Sequence, residues 1–261
     1  MTIPQKPQSQ MPNRPLMQQQ WTARRTSVQP QVNFPMRRFE AMALMPNGQL
    51  AEIVKRAPAH PLFEGAFCAL ARGSIIATEE GPTAVEDLVP GMRIETREHG
   101  FQTLTWHSTI TLVPNQQPGQ TPPRLFRLPV DSFGPSRPMP DLMLAPHARL
   151  LHRSERLRPL VQGDAALTPI TAFEDGHSVI RVAPLSPVSV YHLGFQDHQI
   201  LRANGIDIES FHPGTDLSNR IAGDGLRLFM SFFPHLQSVA DFGPLCTPRL
   251  STEEFAAIQA A

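Results

Sequence analysis

Apolar and polar residues alternate in short bursts along most of this chain, and glycine, proline or asparagine cuts one burst from the next. Phe39 to Met45 and Gln49 to Val54 flank Pro46-Asn47-Gly48, and an Asn-Gly pair between two alternating segments predicts a β-hairpin. Ser74–Thr78, Met92–Thr96, Phe101–Trp106 and Ser108–Val113 are short and rich in β-branched or aromatic residues, with Glu80-Gly81, Pro90-Gly91 and His99-Gly100 as punctuation. Each reads as a strand. Residues 114–140 hold eight prolines and read as a long surface loop. The strand pattern resumes over Asp141–His152, Val161–Ala172 and Val179–Ala183. In residues 188–214, Val188, Val190, Ile200 and Leu201 precede Asn204-Gly205, and Ile206 and Ile208 follow it, so two strands joined by a tight turn are expected. Spacing this regular predicts an all-β fold.

The period then changes. Leu226, Phe229, Met230 and Phe233 stand at i, i+3, i+4 and i+7, the spacing of an amphipathic helix that packs on its own domain or on a protein partner. Ser251 and Glu254 frame a capping box that opens a terminal helix. At the other end, residues 1–36 are rich in Gln and Pro, carry Lys6, Arg14, Arg24 and Arg25, and have no acidic residue before Glu40. Such a segment buries too little apolar surface to offset its ordering entropy, and it reads as a disordered basic arm. The chain thus divides into an arm at 1–37, a hairpin at 38–60, a β-domain at 61–215 and a helical extension at 216–261.

Composition narrows the function classes. The 261 residues include 23 basic and 23 acidic side chains, so the net field gives no argument for nucleic acid or an anionic membrane as partner. The 28 prolines suit many short strands better than a helical bundle. Cys68 and Cys246 are the two cysteines and form no C-x-x-C pair, which leaves neither a disulfide framework nor a zinc ribbon and makes a reducing compartment the default. No run of 18 apolar residues and no signal-peptide core occurs, so the expected location is the cytoplasm, or outside the cell by a route without a cleavable signal. Among the ten histidines, His147 with His152 and His192 with His198 are separated by four and five residues, spacings that fit neither a helical nor a strand metal pair. Neither a metal nor a cofactor is expected.

Two blocks carry a resemblance to the Hint (Hedgehog/intein) domain, the autoprocessing fold, in its bacterial form. Ala203-Asn204-Gly205 followed by Glu209-Ser210-Phe211-His212-Pro213-Gly214 is similar to the family's last block. Gly73, Ser74, Ile76 and Thr78, then Gly81-Pro82, then Val85-Glu86-Asp87-Leu88-Val89-Pro90-Gly91 resemble its opening block. The resemblance implies a Hint-type β-fold and an intramolecular N-to-S acyl shift, in which a thiol attacks the carbonyl before it and a histidine protonates the departing amine. The chain's own N-terminal segment would then be the substrate. Glu209-Ser210-Phe211 replaces the closing His-Asn of inteins, so cleavage on the N-terminal side is expected, without splicing.

The resemblance implies three catalytic candidates, Cys68, His147 and His198. Cys68 stands one residue before the position expected from Gly73, which falls on Ala69. In Asp141-Leu142-Met143-Leu144-Ala145-Pro146-His147-Ala148-Arg149, the family's histidine position falls on Ala148, with His147 one residue early. On a strand that shift would turn His147 to the opposite face unless a bulge re-aims it. His198 follows Phe195-Gln196-Asp197, where the family has a polar residue near the scissile bond, and His192 follows Tyr191 as in the family's last block. Either the site still self-processes, or the module is a non-catalytic scaffold that binds a protein through the vacated cleft or the tail helix.

Overall fold

The computed structural model of the chain describes residues 34–114 and 122–260; the basic arm expected at 1–37 falls almost entirely outside them. β1 (Met36–Leu44) and β2 (Leu50–Pro58) form the first hairpin, in register from Met36 opposite Pro58 to Leu44 opposite Leu50. A short helix α1 (Pro61–Gly65) follows, with proline in its first position and the His60 ring accepting the Leu62 N–H at 3.1 Å, a start that meets the needs of a helix N-terminus. Six short strands come next: β3 (Leu70–Ala71), β4 (Ile75–Thr78), β5 (Gly81–Ala84), β6 (Arg93–Thr96), β7 (Gly100–Thr103) and β8 (Trp106–Leu112). Then follow β9 (Leu125–Leu128), β10 (Leu142–Leu144), β11 (Arg149–Arg153), β12 (Ala165–Pro169), β13 (Ile180–Val182), β14 (Val188–Gly194), β15 (Ile200–Ala203) and β16 (Ile206–Glu209). The chain ends with α2 (Leu217–Arg220), α3 (Gly223–Met230) and α4 (Thr252–Ala260).

The strands form two eight-stranded antiparallel sheets. One runs β13-β9-β10-β3-β14-β8-β1-β2; the other runs β12-β11-β16-β15-β4-β6-β7, with β5 paired to β4. Between them lies a core of Leu70, Ile76, Ile94, Leu142, Leu150, Leu201 and Ile208. A second core, on the other side of the first sheet, is aromatic. Phe67 packs against Phe39 at 4.9 Å, Phe232 at 5.2 Å and Trp106 at 5.5 Å between ring centres, and the Trp106 indole donates to the Phe232 carbonyl at 2.8 Å. The hairpin, α1 and the segment after α3 therefore fill one core together, and the apolar stripe of α3 is used there, with Phe229 buried.

Two sequence expectations are corrected. The proline-rich stretch 114–140 is not loop throughout, because Leu125-Phe126-Arg127-Leu128 forms β9, which pairs with both β10 and β13; three buried apolar side chains suffice for an inner strand even among prolines. Residues 188–214 are not one hairpin either. Val188–Gly194 joins the first sheet beside β8, while the turn joins β15 to β16 in the second, so the chain crosses between sheets at residues 195–199.

The turn is of the type expected. Asn204 and Gly205 have φ of 49° and 86°, as a type I′ hairpin requires. The Asn204 side chain also accepts the Ile75 N–H at 2.7 Å and donates to the Pro140 carbonyl at 3.0 Å, so one residue ties the two resembling blocks to the strand leading into the histidine block. A Cβ on Gly205 would lie 2.7 Å from the Ser136 carbonyl oxygen. Gly205→Ala is therefore expected to lose about 2–4 kcal/mol from left-handed backbone strain plus the clash, read as a lower urea midpoint with unchanged slope.

Candidate active site

α1 ends at Gly65, and from there hydrogen bonds hold the main chain at Gly65, Ala66, Cys68 and Ala69. The His192 ring nitrogen Nδ1 lies 3.1 Å from the Gly65 carbonyl, the Ser108 hydroxyl donates to the Ala66 carbonyl at 2.8 Å, and the His147 N–H donates to the Cys68 carbonyl at 3.2 Å. The Ala69 N–H then donates to the Tyr191 carbonyl at 3.0 Å. Since a carbonyl can only accept, His192 carries its proton on Nδ1. Residues with left-handed backbone do not occur at Phe67 or Cys68.

Cys68 sits in the aromatic core, 3% exposed, yet it also borders a cleft of about 1320 Å³ together with His147, Tyr191, Glu64 and Arg37. Burial pushes its thiol far above the ordinary range and the nearby Glu64 carboxylate adds to this, outweighing Arg37. Glu64 and Arg37 pair at 2.5 Å. Cys68 is therefore a neutral thiol at physiological pH, the reverse of an activated nucleophile. Burial, with help from Arg149 and Arg220, holds His147 down to about 4, so it too is neutral at rest, with a ring nitrogen free to take up a proton.

His147 faces this cleft although it stands one residue early. It lies in a turn between β10 and β11 rather than on a strand, so strand alternation does not apply, and its Nδ1 would stand 3.6 Å from a Cβ placed on Gly65. That distance is ordinary contact, so the ring packs directly over the end of α1. Ala148, the family's histidine position, is buried at 1% exposure.

His198 does not line the cleft. Its Nε2 lies 3.1 Å from Glu209 Oε1, and its Nδ1 accepts the Cys246 N–H at 3.1 Å. Burial works against a charge on this ring while the Cys246 and Glu209 side chains pull upward more strongly; the amide aimed at Nδ1 occupies the lone pair that a second proton would take. Glu209 is 4% exposed and also accepts from Arg249 at 2.7 Å, with Arg149 at 3.7 Å. Next to this network, burial takes His212 down to about 4 against the opposing pull of the Gly243 carbonyl. His198 and Glu209 thus tether the tail to the second sheet. Glu209 was visible in the sequence only as part of a motif, and Glu64, Arg37 and Ser108 carried no motif at all.

The sequence matches the Hint domain family over residues 68–215, more than half of the chain, and the match begins at Cys68. The chain belongs to the Hint domain family. Among solved structures this Hint domain is similar to a splice-inactive variant of the AceL NrdHF class 3 split intein, at 10% identity and a TM-score of 0.38, covering 55% of this chain and 98% of that one. It is also similar to the bacterial intein-like domain from Clostridium thermocellum, at 14% identity and a TM-score of 0.30, covering 55% of this chain and 99% of that one. A comparison with curated proteins gave no significant match. Among the described residues of the Hint domain and its flanks, no three His, Cys, Asp or Glu side chains gather as metal ligands, and no helix is long and apolar enough to cross a membrane.

Proposed function

We propose that the chain is a self-processing type of Hint domain held in an uncleaved resting state. The reaction class is an N-to-S acyl shift at the Phe67–Cys68 peptide: the Cys68 sulfur bonds to the Phe67 carbonyl carbon, the peptide C–N bond breaks, and the thiol proton passes through His147 to the freed Cys68 amine. This is an isomerisation, so a thiol or hydroxylamine must then take the acyl group for the chain to part. The observation that supports this reading is that Cys68 and His147, each displaced by one residue in the sequence, border the same cleft. The resting state follows from the neutral, buried thiol.

A second reading, a scaffold without chemistry, is favoured by one observation: Phe39, Phe63 and Phe67, upstream of the bond, share a core with Trp106 and Phe232 downstream of it. Intact mass of the purified full-length chain separates the two, measured with and without dithiothreitol or hydroxylamine at pH 7 and pH 9 beside Cys68→Ala and Glu64→Gln. Slow, reagent-dependent cleavage between Phe67 and Cys68, faster in Glu64→Gln because the thiol loses a raising charge and absent in Cys68→Ala, supports self-processing. A single uncut mass in every sample of folded protein retires it.

A further inference from the structure

We propose that the gap between β1 and β8 is a slot that accepts an extended, acidic peptide strand from another chain. The argument comes from the ladders on either side. On β1 the even-numbered residues offer their main-chain groups to β8: Leu44 N–H donates to the Thr105 carbonyl at 2.8 Å, and Met42 and Glu40 stand opposite His107 and Thr109. On β8 the odd-numbered residues face β1, because Ile110 and Leu112 are opposite Val190 and Val188 of β14, whose neighbours Tyr191 and Ser189 turn their carbonyls away to Ala69 and Arg72. Continued two steps further, the β1–β8 ladder would join Arg38 to Thr111 and Met36 to Val113. It stops instead at Glu40 and Thr109, although β1 runs out to Met36 and β8 to Leu112.

Two strands that pair at one end and part at the other leave main-chain donors and acceptors with no partner among the described residues, and a row of such groups is a template for an added strand. Arg38 and Thr111 both line the cleft of about 1320 Å³ that opens there. Four residues of extended chain span about 13 Å, the length of the unpaired stretch of β1. Among the described lining residues Arg37 pairs with Glu64 and Arg38 with Glu40, so Arg124 is the cation left over, which favours acidic side chains in the guest. Because the missing rung exposes what lies behind the sheet, the guest would pass over Cys68 and His147. The inference does not depend on whether Cys68 is reactive.

The test uses the full-length protein and two fluorescein-labelled synthetic heptapeptides, Asp-Val-Thr-Val-Asp-Val-Thr and its counterpart with lysine for aspartate. Polarisation should rise with the acidic peptide, the lysine peptide should bind roughly tenfold more weakly, and hydrogen exchange at the Arg38 and Thr111 amides should slow by about tenfold or more on binding. Thr111→Pro removes one of the facing N–H groups and should weaken the acidic peptide by about tenfold; Arg38→Glu should do so without touching the main chain. The proposal is overturned if neither peptide binds at millimolar concentration, if the two bind equally, or if binding leaves those two amides unchanged. It is also overturned if the Arg38 and Thr111 amides of the free protein already exchange as slowly as those of Met42 and Thr109, which would mean the slot is filled by this chain or, if gel filtration gives a dimer, by a second copy.

Discussion

Between pH 6.5 and pH 4 this protein is expected to lose about 6 kcal/mol of stability and to unfold. His192 and His212, 5% and 6% exposed, are both held by burial from the ordinary 6.5 down to about 4. As pH falls through 6.5 the unfolded chain takes up these two protons and the folded chain does not, so stability is complete above 6.5, drains through the window, and is lost below about 4. A displacement of that size corresponds to about 3 kcal/mol for each ring, a large share of the margin of an ordinary domain. His147 and His235, also held near 4 but only half buried, act in the same direction. The Glu209 carboxylate, pulled below its ordinary 4.5 by His198 and Arg249 against its burial, does not add to the loss until the bottom of the window. Urea midpoints at pH 7.5, 6, 5 and 4.5 measure the slope. His192→Asn, which keeps a donor for the Gly65 carbonyl, should flatten it by about half, and a level profile in the wild type would mean that the rings titrate normally.

Replacing Glu209 with alanine is expected to cost about 3–5 kcal/mol, the usual penalty for removing one member of a buried ion cluster. Among the described residues the carboxylate is the single anion facing His198 at 3.1 Å, Arg249 at 2.7 Å and Arg149 at 3.7 Å, and two of those partners hold other elements in place. Arg249 also donates to the His212 carbonyl at 2.8 Å, and Arg149 to the Leu250 carbonyl at 2.9 Å. The loss should therefore appear first in the tail, as faster amide exchange over Cys246 to Leu250, and then as a lower melting temperature. Glu209→Gln keeps an acceptor without the charge and should fall between. A change below about 1 kcal/mol would show that water, not protein, balances these cations.

Much of this architecture is readable in the residues, for local reasons. The Asn47-Gly48 and Asn204-Gly205 turns, the Ser251 to Glu254 capping box, whose two hydrogen bonds are 2.7 and 3.1 Å, and the stripe ending at Phe233 each announce themselves within a few positions. The second core does not, because it joins residues as far apart as Phe39 and Phe232, and no period within a segment encodes that meeting. β9 was hidden by its prolines, and the separation of β14 from β15 by their shared alternation. For the candidate site, Cys68 and His147 could be named from the sequence, but not that both border one cleft. Reading His147 by strand alternation failed because its backbone turns at that residue. His198 was misplaced for a different reason: motif position alone does not reveal Glu209 and the Cys246 amide, which hold the ring elsewhere.

The Phe67–Cys68 bond crosses the middle of a packed core, since the hairpin and α1 lie on one side of it in sequence and Trp106, Phe211 and Phe232 on the other. A cut at a seam between separately folded bodies would be a departure as well as a scission. Here a cut would change the number of chains without changing the number of particles: two bands under denaturing conditions and one peak under native ones. The freed amine and the acyl group would stay neighbours, so the reverse reaction would compete with any external acceptor at every turn. Shedding the amino-terminal piece would require a second event that pulls β1 out of the sheet.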